Sequence, residues 1–153
     1  MGLKDELHLN KPLASVEHEA LMNLYYTAAR LKKRAGEFFG PWGLTDVQFH
    51  LMMLLRHQGA GEGLSQARLS ELMQVNRPNV TGLVDRLERQ GLVRRTAADD
   101  RRYNIIQLTD KGDQLLDKTD AAYGHEMRQV MGALSKSELA ALIQACGKLR
   151  QNL

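Results

Sequence analysis

Cysteine is nearly absent from this chain: Cys146 stands alone among 153 residues, so no internal disulfide can form, which suits a reducing cytoplasm. Aromatic residues are scarce at 5%, and the abundance of Leu, Ala, Arg, Gln and Glu favours helices over sheets. Long apolar runs are missing too; Leu51 to Leu55 falls far short of the roughly 18 residues that span a bilayer. Met1 to Asn10 carries Lys4, Asp5 and Glu6 and no apolar core segment, and Glu6 stands where an N-acylation pattern needs Ser or Thr. No membrane or export signal is therefore expected. A net charge of +3 is too mild for a histone-like binder, so any polyanion partner must be sought in where the arginines cluster. Hydrophobic residues make up 43%, and a chain of this length can bury roughly 68–70% of its unfolded surface. The expectation is one mainly α domain over residues 1–153.

Apolar residues recur at helical spacing from Ser15 to Phe39, through Leu21, Leu24, Tyr25, Ala28, Leu31, Ala35 and Phe38, and the helix should end at Gly40-Pro41-Trp42-Gly43. Thr45-Asp46-Val47-Gln48 is a capping box, so a second helix is predicted from Phe49 through Arg56 to about Gln58-Gly59. Gly59-Ala60-Gly61-Glu62-Gly63 superficially resembles a phosphate loop, but it follows a helix and lacks the dinucleotide-binding glycine spacing, so a flexible connector is expected. Ser65 can cap a short helix through Met73 with Leu69 and Leu72 inward, and Gln74-Val75 makes a tight turn.

The stretch from Asn76 to Thr109 is the most informative. Asn76 caps a helix whose Val80, Leu83, Val84 and Leu87 form an apolar stripe, with Pro78 tolerated in its first turn and Gly91 at its end. Leu92 to Thr96 and Tyr103 to Leu108 then read as antiparallel strands joined by Ala97 to Arg102. Two short helices followed by a basic β-hairpin make a winged helix-turn-helix. Arg86, Arg89, Arg94, Arg95, Arg101 and Arg102 face only Glu88, Asp99 and Asp100 within seventeen residues, the local excess that a polyphosphate partner requires. A solvated basic turn is the plainer alternative. Thr109-Asp110 opens a long helix to about Gly132, with Leu115, Leu116, Tyr123, Met127, Val130 and Met131 on one stripe. Ser135-Lys136-Ser137-Glu138 caps a last helix with Leu139, Leu142, Ile143, Cys146 and Leu149 inward. The helices over residues 15–39 and 110–153 lie outside the winged lobe of residues 44–109, so their expected role is a dimer interface.

This order of motifs resembles the MarR family of bacterial transcriptional regulators. The likeness rests on Leu44 to Phe49, on the run from Val80 to Val93, and on Asp100-Arg101-Arg102 followed by Ile105, Leu108-Thr109 and Lys111-Gly112. It implies a homodimer whose two recognition helices read a pseudo-palindromic double-stranded operator, their half-sites set about 34–36 Å apart. Arg77, Asn79 and Thr81 would approach base edges, and Arg86 and Arg89 phosphates. Ser65, Gln66, Arg68, Asn76, Pro78, Arg94 and Arg95 join the expected DNA-binding set. In the wing the family pattern pairs an Asp with an Arg two residues on; by that likeness Asp100 would steady the turn, with Arg101 between, and Arg102 would enter the minor groove. The resemblance also implies a small aromatic or anionic effector, with Tyr26, Arg30, Arg34, Phe38, Trp42, Phe49 and His50 as candidate contacts. Repression relieved by that effector is the implied activity.

No enzyme motif emerges. Gly63-Leu64-Ser65-Gln66-Ala67 lacks the second glycine of a nucleophile elbow, and Ser65 already serves as a helix cap. His50 and His57 share a helix face about 10 Å apart, too far to hold one ion, so neither metal nor cofactor is expected, although a zinc site assembled between helices stays open. Some members of the resembled family sense peroxide through a thiol in the first helix, where this chain has none. Cys146 sits on the apolar stripe of the last helix, which favours an inert thiol, and a redox-sensing regulator remains the alternative. A winged-helix module that meets an acidic protein surface is the other.

Overall fold

The computed structural model describes residues 2–97 and 104–153, and its elements follow the local signals closely. A short helix α1 (Leu3–Glu6) precedes the main body and buries Leu3, although the N-terminal stretch reads as lacking a core segment. Helix α2 (Val16–Phe39) starts where the Ser15 hydroxyl accepts from the His18 amide at 3.2 Å. It gives way to a 3-10 turn over Gly40–Trp42, and Gly43 takes the left-handed conformation (φ 71°) that releases the chain. Helix α3 (Asp46–Gln58) carries the capping box: Gln48 N donates to Thr45 Oγ1 at 3.2 Å, and Thr45 N donates back to Gln48 Oε1 at 2.9 Å.

The connector that follows differs from expectation. Glu62 N and Gly63 N both donate to the Gly59 carbonyl, at 2.8 and 3.0 Å, and the Gln107 amide donates to Glu62 O at 3.0 Å, so the glycine loop is a pinned turn. At Gly63 (φ +86°) a Cβ would lie 2.3 Å from the Ile106 carbonyl; only glycine permits this approach. The approach brings in strand β1 (Leu64–Ser65), whose Leu64 and Ser65 pair with Ile106 and Ile105. The wing is therefore part of a three-stranded antiparallel sheet, ordered β1-β3-β2. A two-residue strand is too short to carry an alternation signal, and Ser65 also caps the next helix, so it reads only as a cap.

Helices α4 (Gln66–Met73) and α5 (Arg77–Arg89) are joined by the left-handed Gln74 (φ 55°). Strands β2 (Val93–Ala97) and β3 (Asn104–Leu108) pair from Val93 with Leu108 to Ala97 with Asn104. Helix α6 (Asp110–Met131) starts at the Thr109 cap, and α7 (Lys136–Gln151) at the Ser135–Glu138 capping box.

Most of the core lies in the winged lobe. Leu51, Met52, Leu69, Val80, Val84, Leu87 and Ile106 are inaccessible to solvent, and Leu116 of α6 joins them. Arg56 of α3 clasps α6 by donating to Asp113 Oδ1 at 2.9 Å and Asp117 Oδ1 at 2.7 Å. Burial penalises the Arg56 charge, but these carboxylates outweigh that cost and hold the guanidinium above its ordinary pKa.

Outside the lobe the outcome departs from the expected inward stripes. Helix α7 buries no side chain, and Leu142, Ile143 and Leu149 are 41%, 72% and 48% exposed. Val16, Leu21, Leu24 and Tyr25 on α2 are similarly uncovered, whereas Phe39 at its C-terminal end is buried. The helical periodicity is present, but a single chain offers these faces nothing to pack against. Among the described residues, no helix is long and apolar enough to cross a membrane.

Candidate nucleic-acid interface

Helix α5 presents its N-terminal half to solvent because its other face is committed to the core. Val80, Leu83, Val84 and Leu87 are buried, and the same turn of helix leaves Arg77, Asn79 and Thr81 exposed. The Asn76 carboxamide oxygen accepts from the Asn79 amide at 3.0 Å, and Pro78 occupies a first-turn position whose amide would have no helical partner. No acidic side chain stands in that first turn, so the positive end of the helix dipole meets solvent uncompensated. The Thr81 hydroxyl donates to Arg77 O at 3.0 Å and accepts from Gln66 Nε2 at 3.3 Å, which ties α5 to α4. The Ser65 hydroxyl accepts from the Arg68 amide at 3.1 Å, and Arg68 pairs with Glu71 at 3.0 Å on the surface. Exposed pairs of that kind are worth at most about 1 kcal/mol and yield readily to a stronger anion.

The arginines divide into two groups. Arg77 and Arg86 are exposed and make no side-chain hydrogen bond or ion pair among the described residues. Arg89 Nε donates to the Asp85 carbonyl at 3.3 Å, and Arg94 Nε to Gln107 Oε1 at 3.2 Å; both meet neutral acceptors and keep their charge available. Arg95 is different. It is only 23% exposed and hydrogen-bonds the carboxylates of both Asp85 and Glu88, while its backbone amide donates to Glu88 Oε1 at 3.1 Å. Burial opposes its charge, yet the Asp85 hydrogen bond and the fields of both carboxylates keep its pKa above the ordinary value. The placement corrects the charge count made along the chain: Asp85 joins the acidic side, and Arg95 is an internal counter-ion that fastens β2 to α5. Asp99, Asp100, Arg101 and Arg102, with most of the expected turn, lie outside the described residues.

The candidate effector contacts do not form one pocket. Tyr26, Arg30, Arg34 and Phe38 follow one another at four-residue spacing along α2. Arg34 hydrogen-bonds Glu126 of α6, and this bond and the arginine's field hold the Glu126 carboxyl below its ordinary value. Beside that pair a cavity of about 270 Å3 opens between α2 and α6, walled by Leu31, Phe38, Tyr123, Met127 and Met131. Arg30 meets Glu6 at 3.3 Å and, with Tyr26, faces a neighbouring recess that reaches Leu3. Trp42 lines a third recess, at the end of α5. His50 is exposed on α3, and Phe49 is 3% exposed, stacked on Phe39 at 4.5 Å; it is core and has no face to offer a ligand. Tyr123, Met127 and Met131 show in the sequence as an apolar stripe, but nothing there says that they wall a cavity. Cys146 is half-buried in a groove where Leu142 and Leu149 of α7 face Val16 and Leu24 of α2.

Comparison with known proteins places these features in context. The model of the MarR family matches residues 44–103, from just before α3 to just before β3. The HTH-type transcriptional regulator PecS of Dickeya dadantii (strain 3937) is 28% identical over 116 residues, covering 75% of this chain and 70% of PecS. A solved MarR family protein from Bacillus stearothermophilus is 30% identical, with a TM-score of 0.65 over 88% of this chain and 92% of that one. Sco3205, a MarR family transcriptional regulator from Streptomyces coelicolor solved in complex with DNA, superposes with a TM-score of 0.83 at 23% identity, over 94% of this chain and 92% of its own.

Proposed function

Because the chain belongs to the MarR family, we propose that it is a sequence-specific DNA-binding transcriptional regulator, a cytoplasmic homodimer of single-domain chains that represses by occupying a pseudo-palindromic operator. The observation that carries this reading is the acid-free opening of α5, where Arg77, Asn79 and Thr81 are exposed on either side of the buried stripe. Such a helix end suits the major groove: forked donors match guanine and adenine edges, and the helix dipole favours phosphate. Arg86, Arg89 and Arg94 supply flanking phosphate contacts. Ser65, Gln66 and Arg68 approach from α4, while Asn76 and Pro78 shape the entry of α5. In the wing, Asp100 and Arg101 hold and extend the turn from which Arg102 reaches the minor groove.

A palindromic site needs two such lobes. The uncovered stripes of α2 and α7, with Tyr25 62% and Ile143 72% exposed, are the faces a second copy would bury. Release of DNA follows when a small aromatic or anionic effector enters between α2 and α6, where Phe38 and Tyr123 offer aromatic walls and Arg34 a cation. The effector acts only to the extent that it binds the released geometry more tightly than the DNA-bound one.

Fluorescence anisotropy on the DNA upstream of the chain's own gene and on a scrambled duplex, each at two salt concentrations, tests the reading. Tight, selective and steeply salt-dependent binding is the expected result. Equal, weak and salt-insensitive binding to both duplexes would overturn it in favour of an acidic protein partner for the basic hairpin.

A further inference from the structure

Trp42 is the only tryptophan in the chain, and it stands half-buried on the 3-10 turn as one wall of a recess of about 320 Å3, apart from the α2–α6 cavity. Leu92 and Leu115 extend the apolar wall, Gln90 contributes an amide, and Lys111 and Lys118 bring two ammonium groups; among the described residues no carboxylate lines the recess. Lys111, Leu115 and Lys118 share one face of α6 because positions i, i+4 and i+7 nearly superpose on a helix. The α6 carboxylates Asp113 and Asp117 are engaged by Arg56. Lys111 Nζ donates to the Gln90 carbonyl at 2.7 Å, and Lys118 has no ion-pair partner among the described residues. The recess thus combines an aromatic wall with two uncompensated cations that leave α6 about 10 Å apart along its axis.

We propose that this recess binds an aromatic ligand carrying an anionic group at each end, of which an aryl dicarboxylate is the simplest example. The ring lies against Trp42 and Leu115, and each acid group meets one lysine. A single carboxylate would satisfy one ammonium group and leave the other unmatched, whereas a dianion of this length meets both. The recess also adjoins the reading head. Gln90 caps α5, its side chain donates to the Gly43 carbonyl at 3.0 Å, and its own carbonyl holds Lys111. An acid group that draws Lys111 away from Gln90 therefore reaches the end of the recognition helix directly. The site is independent of the α2–α6 cavity and stands whether or not that cavity takes an effector.

Because Trp42 is the sole tryptophan, its emission reports this recess alone. The full-length protein is titrated with 2-nitroterephthalate, whose nitro-substituted ring quenches indole; 3-nitrobenzoate serves as monoanion, 3-nitrobenzamide as neutral analogue, and free N-acetyltryptophanamide as collisional reference. The expected result is saturable quenching, with half-saturation by the dianion at least tenfold below that of the monoanion. In Lys118→Gln the half-saturation concentration should rise about tenfold at an unchanged melting temperature. Lys33→Gln, which removes the same charge from α2, should leave it unaltered. Quenching that stays linear like the reference, equal affinity for all three compounds, or equal shifts in the two lysine variants would each overturn the proposal.

Discussion

Arg95→Ala separates an arginine that touches DNA from one that holds the protein together. In the structure the guanidinium joins Asp85 and Glu88, which are 50% and 39% exposed, and is itself 23% exposed. Half-exposed pairs contribute about 0.2–1 kcal/mol each. Loss of the packed side-chain stem adds a further fraction, so the variant should unfold about 1–2 kcal/mol more easily in urea. The pairs also fasten β2 to α5. If about 1 kcal/mol of that pre-organisation must be restored on binding, specific affinity falls about fivefold. The salt dependence is the discriminating quantity. Each phosphate contact contributes a slope of about −0.9 in log K against log salt, so Arg95→Ala should keep the parent slope, whereas Arg86→Ala should flatten it by about 0.9 with little change in stability. Anisotropy over a salt series and urea melts of both variants supply the numbers. A slope lowered by about 0.9 in Arg95→Ala, with stability unchanged, would place its guanidinium on phosphate and refute the internal role.

Asn79→Ala should cost about 1–3 kcal/mol on the operator and relax selectivity at one base pair; an unchanged ranking of singly substituted operators would remove Asn79 from base contact. Gly63→Ala should lower stability by more than about 2 kcal/mol, since φ +86° is strained for alanine and its Cβ would meet the Ile106 carbonyl at 2.3 Å. Gly36→Ala, in the last turn of α2 with nothing within 4 Å of its Cβ, should instead stabilise by up to about 0.5–1 kcal/mol, and urea midpoints compare the two. Ile143→Asp places a charge on the uncovered α7 stripe and should give monomers by light scattering; a persistent dimer would locate the interface elsewhere. Glu126 has its pKa lowered by the Arg34 hydrogen bond, so its contribution is present above the ordinary value of 4.5 and is lost as pH falls through the lower folded value. Glu126→Gln should therefore blunt the acid side of the melting profile, and an identical profile would show that the pair is without effect on stability.

Much of the fold was legible because its signals are local. Thr45 with Gln48, Asn76 with Asn79 and Ser135 with Glu138 bond across three residues, so the helix starts can be read without knowing the fold. The stripe of Val80, Leu83, Val84 and Leu87 likewise fixes which face of α5 is buried and, by exclusion, which residues stand outside. Positions 98–103 hold the wing residues of the family pattern, and their assignment rests on that pattern alone.

What tertiary structure decided involves residues distant along the chain. Arg95 counts as one more cation in a sequence window, yet the turn from α5 into β2 brings it onto Asp85 and Glu88 and removes it from the external charge. Leu64 and Ser65 become a strand only because Gly63 lets them approach their partners Ile106 and Ile105 of β3, far along the chain. Phe49 and Tyr26 look equivalent as aromatics on helices, but stacking against Phe39 buries the former while the latter stays exposed. The stripes on α2 and α7 show the reverse limit: the sequence marks them as apolar, and the single folded chain leaves them uncovered. Periodicity states that a face avoids water, whereas the surface that covers it is set by whatever chain lies opposite.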